Sequence, residues 1–514
     1  MTTETTARTI ADVMTAPAVT ATPDETLGAA CARMQEKGVG SVVVVEGNRP
    51  VGILTERDLV KATASGAVPE TALVAEHMTV SPDCVHPDTE ITEAWVSLAT
   101  HGYRHFPVTV AEELKGIVSL RDLTRLAQIR PVDGAYQDVP KGLEGVVVAE
   151  TTTGAVRGLE GFYHYRQYSA VDLARSRSFE DVWQLLFDGE LPGPDERRAF
   201  ADELRPLFGF PDGLVPVLRE LVALAPDAPV LDHVRSLVSA FGAAVGLRPS
   251  RDSSRSELRQ DCLRIGAAMP VLVAAAWRLS QGLELVEPRP DLGFAAGYLW
   301  LLTGTDPSER AARAVERYLT STIDHGLNAS TFTARVVAST GADVAAAVVS
   351  GIAALSGPLH GGAPSRALDA LDAIGTPERA DAFIRDAVRR GERIMGFGHR
   401  VYRTVDPRSE LMKAEAEALG GPLVEFAEQV EDTVVRVLEE LKPGRSLYAN
   451  VEFYAGVVME LCGIPRPMFT PTFALSRTIG WCAHILEQAA DNRIIRPASR
   501  YVGPPPPVPV PPAA

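Results

Sequence analysis

At 514 residues the chain is too long for one ordinary domain, and about three are expected from size alone. With 46% apolar and 23% charged residues it has an ordinary globular make-up, and its formal charge of −16 argues against nucleic acid or an anionic membrane as a partner. Five scattered cysteines (Cys31, Cys84, Cys262, Cys462, Cys482) exclude a disulfide framework and fit a reducing compartment.

The opening Met-Thr-Thr-Glu-Thr-Thr lacks the basic and apolar regions of a secretory signal. The longest apolar runs, Met269–Trp277 and Val344–Leu355, are too short or too interrupted to span a bilayer. A cytoplasmic protein is expected.

Residues 8–128 contain an internal repeat. Asp12-Val-Met14 returns as Glu76-His-Met78, Pro23-Asp24 as Pro87-Asp88, and Gly38 as Gly102. Gly52-Ile-Leu-Thr55-Glu-Arg-Asp58 returns as Gly116-Ile-Val-Ser119-Leu-Arg-Asp122, the copies spanning about 8–65 and 72–128. In each copy an aspartate (Asp24, Asp88) is expected to cap a helix that ends at the repeated glycine. A β-branched strand such as Ser41–Val45 follows, then a second strand running into the Gly-x-x-Ser/Thr-x-x-Asp turn. The pattern resembles a tandem pair of CBS domains, an α+β module. That resemblance implies an adenine nucleotide (ATP, ADP or AMP) between the copies, with Thr55, Asp58, Ser119 and Asp122 at phosphate and ribose. A hydroxyl and a carboxylate one turn apart cap a helix equally well.

Residues 129–141 carry two prolines and no periodicity, and read as a linker. From Gly142 onward helical patterns dominate. Ser178-Phe-Glu-Asp181 reads as a capping box opening a helix toward Gly189, and Pro194-Asp195 precedes another. Strand signals are nearly absent, so an all-α body is expected, with the β structure confined to the repeat. Asp324-His325-Gly326-Leu-Asn328-Ala-Ser330 interrupts these helices and by itself is an ordinary turn.

Chemistry concentrates between Ser356 and Arg408. Gly357-Pro-Leu-His360-Gly-Gly362 and Gly396-Phe-Gly-His399-Arg-Val-Tyr402 each hold a histidine among glycines, where backbone can approach a ligand closely. Asp406-Pro-Arg408 follows. A helix start after His360 would keep its imidazole neutral, able to donate to a developing oxyanion. A single histidine in a Gly-rich turn is equally an ordinary turn residue. No His-Glu-x-x-His or Cys-x-x-Cys spacing supports a metal site.

These motifs, with Asn450-Val-Glu-Phe-Tyr454, occur in the order seen in the citrate synthase family, which the chain resembles from about Gly142 to Gly503. The resemblance implies a large helical domain (142–370 plus 466–502) and a small one (371–465). It implies condensation of acetyl-CoA with oxaloacetate and water, through an enol(ate) and citryl-CoA, with no cofactor or metal required. In it His360 donates to the thioester oxygen, His399 polarises the ketone and Glu452 is the base. His325, Arg408, Arg477 and Arg496 hold oxaloacetate, Arg496 reaching the partner's site in a homodimer. Acetyl-CoA lies along Arg393, Gly396, Gly398 and Arg400. Two positions depart from the common pattern: Glu452 stands where Asp is usual, and Pro364-Ser365 where Asn-Glu is usual. The alternatives are a 2-methylcitrate synthase using propionyl-CoA, since one methylene is worth only ~1–3 kcal/mol of discrimination, and a nucleotide sensor whose synthase-like part is inactive. Residues 503–514, rich in proline, read as a polyproline II tail.

Overall fold

The computed structural model describes residues 9–91, 105–119, 139, 140, 142, 143, 145–361, 363–392, 394–398, 402, 404–442 and 447–499. The chain divides into two compact units, one reaching to Gly142 and the other spanning Leu143–Ser499.

The first unit begins with β1 (Thr20–Ala21), α1 (Leu27–Lys37), β2 (Ser41–Glu46) and β3 (Arg49–Thr55). Next come α2 (Glu56–Ala64), α3 (Val74–His77), β4 (Thr79–Val80), β5 (His105–Val110) and β6 (Glu113–Ser119). One sheet runs β1–β2–β3–β4, and β5 pairs antiparallel with β6. Gly38 closes α1 in the left-handed conformation, as expected, but Asp24 does not open it. Thr26 does, because its hydroxyl is placed to accept from the third helical N–H, that of Ala29 (3.3 Å), whereas Asp24 lies too early and accepts from the Thr22 hydroxyl (2.5 Å). The stretch of the second copy where the corresponding helix is expected lies outside the described residues, as do Gly102 and Asp122.

β2 is buried on both faces. Val42 and Val44 pack on Leu27, Ala30, Met34 and Leu54 of the first copy. Val43 and Val45 meet Leu114 and Ile117 of the second. The copies in space are not the copies in sequence. A Cβ on Gly52 would stand 2.3 Å from the Met78 sulfur, and one on Gly116 would stand 3.1 Å from the Met14 sulfur. Thr15 exchanges backbone hydrogen bonds with Ile117 (2.8 and 3.0 Å), and Ile10 joins the core of Phe106, Val108 and Val118. The opening segment of each repeat thus packs on the other repeat.

In the second unit the expected all-α body needs a correction. β7 (Gly154–Arg157), β8 (Phe162–Tyr165) and β9 (Tyr168–Ser169) form an antiparallel meander. β8 alternates: Tyr163 and Tyr165 are buried, donating to the carbonyls of Ser321 and Thr320 (3.0 Å each), while Phe162 and His164 face away. Strands this short leave little period to read in sequence.

The helices follow as α4 (Ala170–Ser176), α5 (Phe179–Asp188), α6 (Pro194–Leu204), α7 (Leu214–Leu224), α8 (Val230–Ala244) and α9 (Arg255–Ser280). Then come α10 (Phe294–Thr303), α11 (Glu309–Thr322), α12 (Ala329–Ser339), α13 (Val344–Leu355) and α14 (Ala363–Ile374). The last are α15 (Pro377–Arg389), α16 (Pro407–Leu419), α17 (Pro422–Leu441), α18 (Val451–Leu461) and α19 (Phe469–Ala490). Ser178 caps α5 and Gly189 ends it, as expected. The reciprocal half of the capping box is not made, because the buried Asp181 carboxylate is taken by Arg197 through two bonds (2.6 and 2.7 Å).

The core of this unit is built on α9 and α19, which pack against each other. By length and composition α9 could cross a membrane, but here it is a largely buried core helix. α19 passes very close to the end of α11: a Cβ on Gly480 would sit 2.1 Å from the Ile323 carbonyl oxygen, so only glycine fits. Beyond it, α15 packs on α17, and α14 and α16 pack on α18.

Candidate active site

α18 starts at Asn450, whose side-chain oxygen accepts from the Glu452 N–H (3.0 Å) and sets Glu452 in the first turn. The same residue holds the 394–398 segment, through its N–H to the Gly396 carbonyl (2.8 Å) and its side-chain amide to the Gly398 carbonyl (2.9 Å). Gly396 and Gly398 both have positive φ, +86° and +79°, which explains glycine at these positions in backbone terms. The residues just beyond, His399 and Arg400, and Arg393 before them, lie outside the described residues.

Asp406 organises the adjoining corner. It accepts from the Arg408 N–H and Nε (3.0 Å each) and Nη2 (2.8 Å), and from the Val451 N–H (3.1 Å) at the start of α18. The buried Arg408 guanidinium is thereby fixed beside the rings of Tyr163 and Tyr402, at 6.0 and 5.7 Å. His325 Nε2 meets the Tyr402 hydroxyl at 3.0 Å. The turn that carries His325 is closed by Asp324, which accepts from the Gly326 N–H (3.1 Å).

Arg477, on α19, is 4% exposed, and its Nε and Nη1 have no hydrogen-bond partner among the described residues. Buried donors left unmade cost about 1–3 kcal/mol each, more when charged, so a site of this kind is built for something that completes it. Its charge reaches both Glu452 and His360. Burial pushes the Glu452 carboxyl up, Asp406 adds to this, Arg408 and Arg477 oppose it, and the balance is about 7. Glu452 retains a partly open face, so that carboxyl is crowded by protein without being sealed from water. Burial and the Arg477 charge together lower the His360 imidazole to about 4, which makes it neutral near pH 7. His360 Nε2 lies 2.9 Å from the Ser330 hydroxyl oxygen, which also accepts from Trp481 Nε1 at 3.3 Å.

The structure therefore brings Glu452, His360, His325, Arg408 and Arg477 around one locus. Arg496 is exposed and makes no such contact among the described residues. In the first unit, Thr55 and Asp58 form a capping box on α2, the Asp58 carboxylate accepting from the Thr55 N–H (3.1 Å) and hydroxyl (2.7 Å). Ser119 ends β6, and Asp122 lies outside the described residues. Among the described residues no group of three or more His, Cys, Asp or Glu is placed to hold a metal ion.

Sequence reasoning gave no role to Ser330, Trp481, His484, Asp324 or Tyr402, which support the histidines. The readable signal was the spacing of Arg477, Trp481 and His484 on α19, four and then three residues apart, which puts all three on one helical face.

The citrate synthase C-terminal domain family matches residues 142–498, and the CBS domain family matches 10–65 and 74–128. A citrate synthase of Haloferax volcanii is 40% identical over 370 residues, covering 71% of this chain and 96% of its own. The crystal structure of citrate synthase from Pyrobaculum aerophilum superposes with a TM-score of 0.66 at 34% identity, covering 74% of this chain and 98% of that one. A ternary complex of carboxymethyl coenzyme A and oxaloacetate with citrate synthase from Thermoplasma acidophilum gives a TM-score of 0.68 at 28% identity, covering 73% of this chain and 98% of that one.

Proposed function

The chain belongs to the citrate synthase family, carries two N-terminal CBS domains, and from that premise we propose that it condenses acetyl-CoA with oxaloacetate and water to give citrate and CoA. The observation that carries the site assignment is the buried, unpaired Arg477 beside a neutral His360 and a carboxyl poised near 7.

In this reading one carboxylate of oxaloacetate completes Arg477, and Arg408 lends its charge nearby. Glu452 removes a methyl proton of the acetyl group. A carboxyl near 7 is ionised about half the time at neutral pH and accepts a proton more readily than an ordinary carboxylate. Charge develops on the thioester oxygen, where His360 donates. The enol carbon attacks the ketone of oxaloacetate, which His325 helps to hold and His399 polarises, to form citryl-CoA. Water then cleaves the thioester, releasing citrate and CoA. The chemistry needs no redox group, and Arg496 completes the site of a second copy in a homodimer.

The CBS pair is proposed to bind an adenine nucleotide at Thr55, Asp58, Ser119 and Asp122 and so to regulate turnover, its support being the family match. Coupling requires that the nucleotide bind two states of the protein differently. Identical kinetics with and without nucleotide would remove this part.

The test is CoA thiol release by the purified protein with oxaloacetate, acetyl-CoA against propionyl-CoA. Preference for acetyl-CoA is expected. Preference for propionyl-CoA would move the reading to 2-methylcitrate, and no release with either would refute it.

A further inference from the structure

Behind the His325 turn lies a buried polar chain to which the chemistry above gives no role. His484, on α19, is 1% exposed and sits between Arg335 and Asp324, themselves 4% and 2% exposed. Arg335 Nη1 approaches His484 Nδ1 at 3.0 Å, and His484 Nε2 approaches Asp324 Oδ1 at 3.1 Å. A guanidinium can only donate, so Nδ1 must be the accepting nitrogen. The ring is then neutral, with its proton on Nε2, and donates to Asp324.

Both ends of the chain are fixed. Arg335 also donates to Glu487 Oε2 (2.6 Å) and, through Nε, to Gln488 Oε1 (3.1 Å). The other Glu487 oxygen accepts from the Thr152 N–H (2.6 Å) and hydroxyl (2.9 Å). At the far end, Asp324 Oδ2 holds the Gly326 N–H, and His325 stands between the two anchored residues. Burial by itself would raise the Asp324 carboxyl; His484, Arg477 and the Gly326 N–H outweigh burial and hold it below its ordinary value. The carboxylate is therefore ionised in the interior and depends on its donors.

We propose that His484 is a positioning residue for substrate recognition: as the Nε2–H tautomer selected by Arg335, it clamps Asp324 so that the Asp324-His325-Gly326 turn presents His325 beside Tyr402 to oxaloacetate. This rests on the reading of the site as an oxaloacetate site. A ring that merely fills space would affect folding alone, since any side chain of similar size would serve. A positioning ring acts on one substrate and is replaceable by a side chain that keeps the donor.

His484→Met removes the donor at similar volume, and His484→Gln restores an N–H at nearly the same reach. For the full chain, H484M is expected to raise the KM and the calorimetric dissociation constant for oxaloacetate by about tenfold or more, as loss of a partner behind a binding group typically does. The KM for acyl-CoA should stay within about twofold, and H484Q should recover most of the loss. Should H484M not fold, Asp324→Asn keeps the shape, removes the charge the ring serves, and carries the same expectation. Folded H484M with wild-type affinity for oxaloacetate would overturn the proposal, as would H484Q no better than H484M. Wild-type protein that binds oxaloacetate without releasing CoA would remove the catalytic reading and leave this one standing. Wild-type protein that binds no oxaloacetate would overturn both.

Discussion

Replacing Glu452 with glutamine should abolish turnover and at the same time stabilise the protein above neutral pH. The glutamine keeps the shape of the side chain and removes the need to bury a charge. The carboxyl lies at about 7 in the fold against an ordinary value of 4.5. A carboxyl raised by folding contributes stability that is complete below the unfolded value and is lost as pH rises through the folded one. The window is therefore about pH 4.5 to 7. At about 1.4 kcal/mol per pH unit, ionisation costs the wild type up to roughly 3 kcal/mol, reduced by the open face of Glu452. Thermal midpoints of wild type and E452Q, measured at one protein concentration from pH 5 to 8.5, should coincide at the acid end and separate in favour of E452Q at the alkaline end. In parallel, wild-type kcat/KM should climb about tenfold per unit at low pH and level off above about 7. A midpoint difference that does not change with pH, or E452Q within tenfold of wild-type activity, would refute the argument.

Arg477→Met deletes a buried guanidinium with two unmade bonds, so its thermal midpoint should match or exceed wild type while the KM for oxaloacetate rises on the order of a hundredfold; lower stability with unchanged KM would contradict this. Ser330→Ala removes the hydroxyl that holds His360 Nε2 and should lower kcat about tenfold with a smaller change in the KM for oxaloacetate, read by steady-state kinetics. Thr55→Ala breaks the capping box on α2, costing about 1 kcal/mol in the first unit, and should weaken binding of ATP or AMP measured by calorimetry. Gly480→Ala places a carbon against the Ile323 carbonyl and should yield little folded protein on expression at 37 °C, as judged by circular dichroism.

What was legible in the sequence is what glycines and charged motifs announce. Asp406-Pro-Arg408 folds as a unit because the aspartate both caps α16 and binds the arginine two residues on, an interaction local enough to read from a tripeptide. His360 and Glu452 each stand next to a helix start marked by Gly or Asn. The supports were harder to see because they act across long sequence distances. Ser330 reaches His360 and Trp481, and His484 reaches Asp324 across 160 positions, so neither has a local pattern. The meander of β7–β9 was missed for the opposite reason, its strands being too short for a period to show. Asp24 was misplaced by two residues because a threonine nearer the helix start was in better reach of the free N–H groups.

The crossed packing of Met14 and Met78 makes each repeat of the first unit depend on the other. A solitary repeat would carry a methionine with no glycine of its own to sit on, and a sheet whose missing edge lies on another molecule. In the tandem chain each half therefore carries the segment that covers the other's glycine. Excising either half from the gene would therefore uncover the glycine face of the other.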